Sequence, residues 1–126
     1  MTGRTGLLST PAGGGAEGPL GDGSPAASAS VSDPCGITTD AAHNLVIADA
    51  GDNRIRVVAH RTGTFYGQAM TAGDNYTIAG DGTGGYSGDG GPAIAAQLDD
   101  PDGLALVGSD IVITDRGNSR IREITG

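Results

Sequence analysis

Two Asp–Arg pairs are the most distinctive polar feature of the sequence: Asp49 with Arg54 and Asp115 with Arg120, each separated by a tight Gly-containing turn. A carboxylate and a guanidinium at that spacing can meet in a charge-assisted hydrogen bond that fixes a hairpin. Both copies carry the pair, so its expected role is structural; a catalytic pair would more naturally occur once. Asp22, Asp81, Asp89, Asp99, Asp100 and Asp102 lie in Gly-rich loops whose carbonyls would suit Ca²⁺. No EF-hand spacing accompanies them, and turn formation is the better account of Asp beside Gly. His43 and His60 are the only imidazoles, and Cys35 is a lone thiol with no recognisable His or acid triad around it. Neither a Walker loop nor a dinucleotide fingerprint is present, because the Gly runs do not lead into helices carrying Lys. No catalytic residue and no metal ligand is therefore assigned. What remains are two candidate contact segments: Tyr86, Ser87 and Asp89 in one Gly-rich loop, and Phe65, Tyr66 and Gln68 in a linker that holds half the aromatic residues, which either cap a packing surface or meet a partner.

The elements that must position these residues come in duplicate. Residues 9–37 match 76–104 at 14 of 29 positions with an offset of 67, and 44–58 match 110–124 at 7 of 15 with an offset of 66. A tandem unit of this size cannot bury its own apolar faces and needs neighbours. Asn44–Asp49 and Asp110–Asp115 are apolar on both faces, as in strands covered above and below. After a tight turn, Arg54–Val57 and Arg120–Ile124 alternate Ile with Arg and complete hairpins. Gly36–Thr39 and Gly103–Val107 follow an Asp-Pro step and give a further strand in each unit. Tyr76–Gly80 is a small-residue strand expected to open the second unit as its inner strand. Its counterpart Ser9–Gly13 is expected to be weak, since Pro11 removes a ladder donor. Four short strands per unit result, with long loops over 13–33 and 80–100 and one or two helical turns within Pro92–Leu98. The expected organisation is a first unit over 1–60, a linker over 61–75 and a second unit over 76–126.

Composition narrows the function classes. The chain has 126 residues, 24 of them Gly, only four aromatic and no Trp, so its core is thin and favours association or a longer parent protein. Fifteen acidic residues against seven basic ones, all Arg, give a net charge of −8. Such a surface repels phosphate backbones and anionic lipid, which disfavours nucleic-acid and membrane partners. Only Leu7-Leu8 resembles an apolar leader core, far short of a secretory signal, and no run reaches membrane-spanning length; a secreted or cell-surface parent would carry its targeting elsewhere. Absent Lys with abundant Gly, Ala, Arg and Asp suggests a high-GC bacterial gene.

Ile47-Ala48-Asp49-Ala50-Gly51-Asp52-Asn53-Arg54-Ile55-Arg56 and Ile113-Thr114-Asp115-Arg116-Gly117-Asn118-Ser119-Arg120-Ile121-Arg122 resemble the hallmark of the NHL repeat: a strand ending in Asp, a Gly-Asn type turn, then Arg-Ile/Val-Arg. The loop Gly84–Ala93 and the linker Gly63–Asp74 resemble those of bacterial NHL proteins with long interstrand loops. The resemblance covers about residues 9–126, is specific for the second unit, and weakens in the first before Gly21, where Pro11, Glu17 and Leu20 depart from the pattern. It implies an all-β fold in which each unit is one four-stranded antiparallel blade of a β-propeller, typically six-bladed. Two blades cannot close a ring, so the chain is either part of a longer propeller or a homo-oligomer, three copies giving six blades. The family's usual role implies a non-enzymatic module presenting its loops to a protein or glycan partner. The rival is a piece of a metal-dependent lyase or hydrolase whose site lies in other blades. Such enzymes hold a central metal with His or carboxylates, whereas the expected inner strands here offer Ser9, Thr10, Tyr76 and Thr77.

Overall fold

The structure, a computed structural model, describes residues 6–15 and 21–125. Residues 1–5 of the expected first unit, Gly126 of the second, and 16–20 of the expected loop 13–33, including Glu17 and Leu20, lie outside the described residues. The fold is all-β and antiparallel. Its strands are β1 (Pro34–Thr39), β2 (Leu45–Asp49), β3 (Arg54–Val58), β4 (Gly63–Phe65), β5 (Gln68–Met70), β6 (Asn75–Ala79), β7 (Pro101–Val107), β8 (Asp110–Asp115) and β9 (Arg120–Ile124). They form an open four-stranded sheet in the order β1-β2-β3-β6, the separate hairpin β4-β5, and an open three-stranded sheet β7-β8-β9.

The repeated hairpins follow the sequence closely. Asp49 sits opposite Arg54 and Asp115 opposite Arg120. A single 3-10 turn links each pair of strands, Ala50–Asp52 or Arg116–Asn118. Each turn ends on a left-handed residue, Asn53 (φ 53°) or Ser119 (φ 52°), which reverses the chain into the next strand. The helical expectation within Pro92–Leu98 reduces to one 3-10 turn, Ala93–Ala95, matched by Ala26–Ser28 in the first unit.

Three expectations change. The strand expected to open the second unit instead closes the first sheet: β6 pairs with β3, matching Ile55 with Ala79, Arg56 with Thr77 and Val57 with Tyr76. Repetition orders strands along the chain but not across a sheet, and an edge such as β3 takes whichever strand the intervening segment returns to it. That segment is not a plain linker. Tyr66 (φ 53°) and Gly67 (φ 75°) form a two-residue turn with both central residues left-handed, the geometry that suits a right-twisted hairpin, and Gly63 pairs with Met70 and Thr64 with Ala69 across it. Finally, Ser9–Gly13 joins no described strand; residues 7–11 are exposed.

The core lies between the two larger sheets. Val46, Ala48, Ile55 and Val57 on one side of the first sheet are fully buried and share a cluster with Ile111, Ile113 and Leu98, flanked by Leu104 and Leu106. Each such Val or Ile stabilises the native state by about 1.5–3 kcal/mol. Gly36 of β1 allows the close contact with β7 here, because a Cβ would collide with the Asp102 carbonyl. The expectation of strands buried on both faces holds for β2. For β8 only Ile111, Ile113 and Asp115 are buried; Thr114 is exposed and Val112 half-buried.

Candidate functional site

The duplicated ionic feature is present, but with a different arginine in each unit. Asp49 is fully buried and its Oδ2 accepts from Arg56 Nη1 at 3.0 Å, not from Arg54. Arg54 donates instead to the Asp81 carbonyl at 2.9 Å. In the second unit Arg122 Nη1 reaches Asp115 Oδ2 at 3.2 Å, while Arg120 donates to the Asn118 carbonyl and stacks over Tyr86, 4.1 Å from the ring centre. The reason is the pleat: residues two apart on a strand share a face, and a long side chain spans the diagonal to a partner one pair along. The inner arginine is the buried one and therefore requires the buried carboxylate.

Around each inner arginine the same lock recurs. Arg56 also binds Asp22 (3.0 Å) and the Ser30 carbonyl (3.0 Å), while Asp49 Oδ1 accepts the Ser32 amide (2.8 Å). Arg122 binds Asp89 (2.8 Å) and the Gln97 carbonyl (2.6 Å), while Asp115 Oδ1 accepts the Asp99 amide (2.8 Å). In the first unit β6 adds Asn75, which accepts from Arg56 and donates to the Gly21 and Ser24 carbonyls. The locks thus clamp the Gly-rich loops onto the hairpins.

This clamp takes in the first predicted contact segment. Arg122 Nη2 donates to the Ser87 carbonyl at 2.7 Å, and the Tyr86 hydroxyl donates to Asp89 Oδ2 at 2.7 Å. Hydrogen bonds from Tyr86 and then Arg122 hold the Asp89 carboxyl below the usual range, and the same bond pushes the Tyr86 phenol up. Asp89 is engaged by Arg122 and Tyr86 yet stays exposed, as do Ser87 and Tyr86.

Two residues of the second predicted segment line an open cleft. Phe65 and Tyr66, at the tip of β4-β5, face Asp40, Ala42, Leu106 and Ser109 across a cleft of about 440 Å³, within the size range of small-ligand sites. The Tyr66 hydroxyl donates to Asp40 Oδ2 at 2.7 Å. Burial and this bond to Asp40 push the Tyr66 phenol well up. Partial burial works against the Asp40 carboxylate, but donors from Tyr66, from the Asn44 amides and from the Ala42 amide outweigh it and hold its carboxyl low. Gln68 turns inward and donates to the Thr77 carbonyl at 2.8 Å, tying the hairpin to β6. Sequence reasoning missed Asp40, Leu106 and Ser109, which lie in turns and a strand remote from the linker. The chain signal that existed was Asp40 followed four residues later by Asn44, an Asx-type turn. Tyr66→Phe should lower stability by about 1 kcal/mol, the worth of one such hydrogen bond. A folded carboxyl held low supports the fold above its ordinary value and loses that support as pH falls through the folded value. The variant should accordingly acid-unfold at a higher pH than the wild type, which circular dichroism can follow.

Elsewhere the described residues give the sequence candidates modest roles. Asp81 Oδ1 caps the Thr83 amide at 2.8 Å, and Asp100 lies 3.8 Å from Arg116. His43 and His60 pack edge to face, 5.8 Å apart. Cys35 is exposed, and loss of hydration followed by the nearby Asp33, Asp100 and Asp102 pushes its thiol up, away from nucleophilic use. Among the described residues no group of three or more His, Cys, Asp or Glu side chains is placed to hold a metal ion, and no helix is long and apolar enough to cross a membrane.

Fold and site together define an all-β protein of duplicated antiparallel units with an aromatic cleft at one hairpin tip. No protein-family model matches the sequence, and no curated protein does.

Proposed function

We propose that the chain is a pair of NHL-type propeller blades acting as a binding module, and that a protein or glycan partner docks in the Phe65–Tyr66 cleft. The observation that carries this reading is the cleft itself. Its wall is apolar, from Phe65 and Leu106, and its polar content converges on Asp40, an acceptor already ordered by Tyr66, Asn44 and Ala42. Apolar walls with a few fixed polar groups are how binding sites give affinity and orientation together. The repeated ionisable groups support binding over catalysis, because Asp22, Asp49, Arg56, Asp89, Asp115 and Arg122 satisfy one another inside the scaffold.

Screening the protein on a glycan array and a random-peptide display library tests the proposal. Ligands are expected whose binding falls at least tenfold in Leu106→Arg, which fills the cleft, and is unchanged in Ile94→Arg, a substitution at an exposed site outside it. Ligands that bind Leu106→Arg as well as wild type would overturn the assignment of the cleft.

A further inference from the structure

Among the described residues, the second unit lacks at the outer edge of β9 a strand that the first unit has. The counterpart of β9, β3, carries β6, whereas the sheet β7-β8-β9 ends at β9. The consequence shows in two isoleucines that occupy the same repeat position. Ile55 on β3 is 0 % exposed and belongs to the core cluster, while Ile121 on β9 is 68 % exposed. The whole face is affected: Val46, Ala48, Ile55 and Val57 are sealed by the second unit, but Val112, Thr114, Ile121 and Glu123 at the matching positions are left half-buried or exposed.

The sequence supplies a matching strand. Shifted by the repeat offset of 67, β6 falls on residues 8–12, so that Thr77, Ala79 and Gly80 correspond to the identical Thr10, Ala12 and Gly13. The chain after this segment already follows the path taken after β6: the Gly13 amide donates to the Ala26 carbonyl at 3.0 Å, as the Gly80 amide does to the Ala93 carbonyl at 3.0 Å. Yet residues 8–12 join no strand, and Leu8 is 99 % exposed. Pro11 is not an obstacle. It corresponds to Ile78, the residue passed over where the β3-β6 register shifts between Ile55–Ala79 and Arg56–Thr77. Proline is tolerated at bulges and on edge strands.

We infer that residues 8–12 of one copy add to the β9 edge of a second copy as its fourth strand, joining copies of this chain head to tail. The internal contact between the units is the template. On it, Ala12 of the donor lies opposite Ile121 of the acceptor, Thr10 opposite Arg122, and Leu8 opposite Ile124. The donor's first unit brings the face equivalent to Leu104, Ile111 and Ile113. That face consists of Ile37, which is 60 % exposed, half-buried Leu45 and buried Ile47, beside an open cleft of about 250 Å³ that Pro11 and Ala12 also line. It comes to rest over Ile121. Thr114 and Glu123 stand where the first unit has Ala48 and Val57, so this contact is more polar than the internal one and association depends on concentration. A head-to-tail contact that closes makes a ring. The inference uses the repeat and not the cleft, and stands even if the cleft binds nothing.

Light scattering across a concentration series, at salt sufficient to screen the net charge, tests it directly. The wild type is expected to reach a mass of two or more chains. Ile121→Arg should return it to a single-chain mass at the same concentration without loss of folding, since that side chain is exposed in the single copy. As an independent measurement, oxidation of the C35S/A12C/I121C variant should give a disulfide between chains, located by mass spectrometry. A single-chain mass throughout would overturn the inference. So would an oligomer that ignores Ile121→Arg and forms no such bond, for instance one joined by some other surface.

Discussion

Arg56→Met should cost the native state about 3–5 kcal/mol, the penalty for removing one partner of a buried ion pair. Arg56 is 1 % exposed and Asp49 0 %. Removing the guanidinium strands the Asp49 carboxyl and takes from Asn75 the donor that ties β6 to the lock. It also releases Asp22 and the Ser30 carbonyl, and with them the loop preceding β1. Methionine fills much of the volume, so the loss is chiefly electrostatic. The cost should grow with pH, because Asp49 can take a proton in acid but not in base. Arg122→Met should cost less: its loop partner Asp89 is largely exposed, so water replaces that bond, and Asn118 still donates to the buried Asp115. Urea unfolding of both variants gives the comparison. Equal and small losses would mean that the duplicated locks are not what holds the loops.

The two locks also differ in one residue. At the turn after β8, Asn118 donates to Asp115 Oδ2 at 2.8 Å. The corresponding residue after β2 is Asp52, whose Oδ2 is buried without a donor. Two carboxyls thus share a site where the second unit has a carboxyl and an amide. Burial first, and the Asp52 carboxyl next, push Asp49 up to about 7 despite the Ser32 amide and Arg56. A group whose folded value lies above its unfolded one adds stability in its protonated form. Its contribution is complete below the ordinary carboxylate value and disappears as pH rises through about 7. The wild type should therefore lose stability between pH 5 and 9, while Asp52→Asn should remain nearly flat. At the alkaline end the variant should be more stable by about 1–3 kcal/mol, the scale of one buried polar group left unsatisfied. Denaturant midpoints measured at both pH values decide the matter. A wild type with no slope across that window would show that the pair holds no proton.

Much of this architecture was legible in the residues because it is local. The hairpins β2-β3 and β8-β9 announce themselves through short apolar runs, a Gly-containing turn and the Arg-Ile-Arg pattern. An offset of 66 relates the two hairpin turns, and one of 67 relates the matched 3-10 turns at Ala26 and Ala93. The aromatic linker stands out in the sequence, but its Tyr66-Gly67 hairpin does not. Two left-handed residues in a row are easily adopted by Asn-Gly but less readily by Tyr-Gly, so the turn signal was weak.

The sequence by itself determined an all-β chain with a tandem repeat, the hairpins β2-β3 and β8-β9, and the aspartates around which the locks are built. Only the tertiary structure decided which strand closes the first sheet, which arginine each buried aspartate takes, and that Asp40 and Leu106 meet Phe65 and Tyr66. The physical reason is common to all three. Periodicity and turn chemistry act over a few residues and are written in them directly. Sheet pairing, burial of charge and the walls of a cleft are set by groups tens of residues apart, whose meeting depends on which surfaces the packed units leave uncovered.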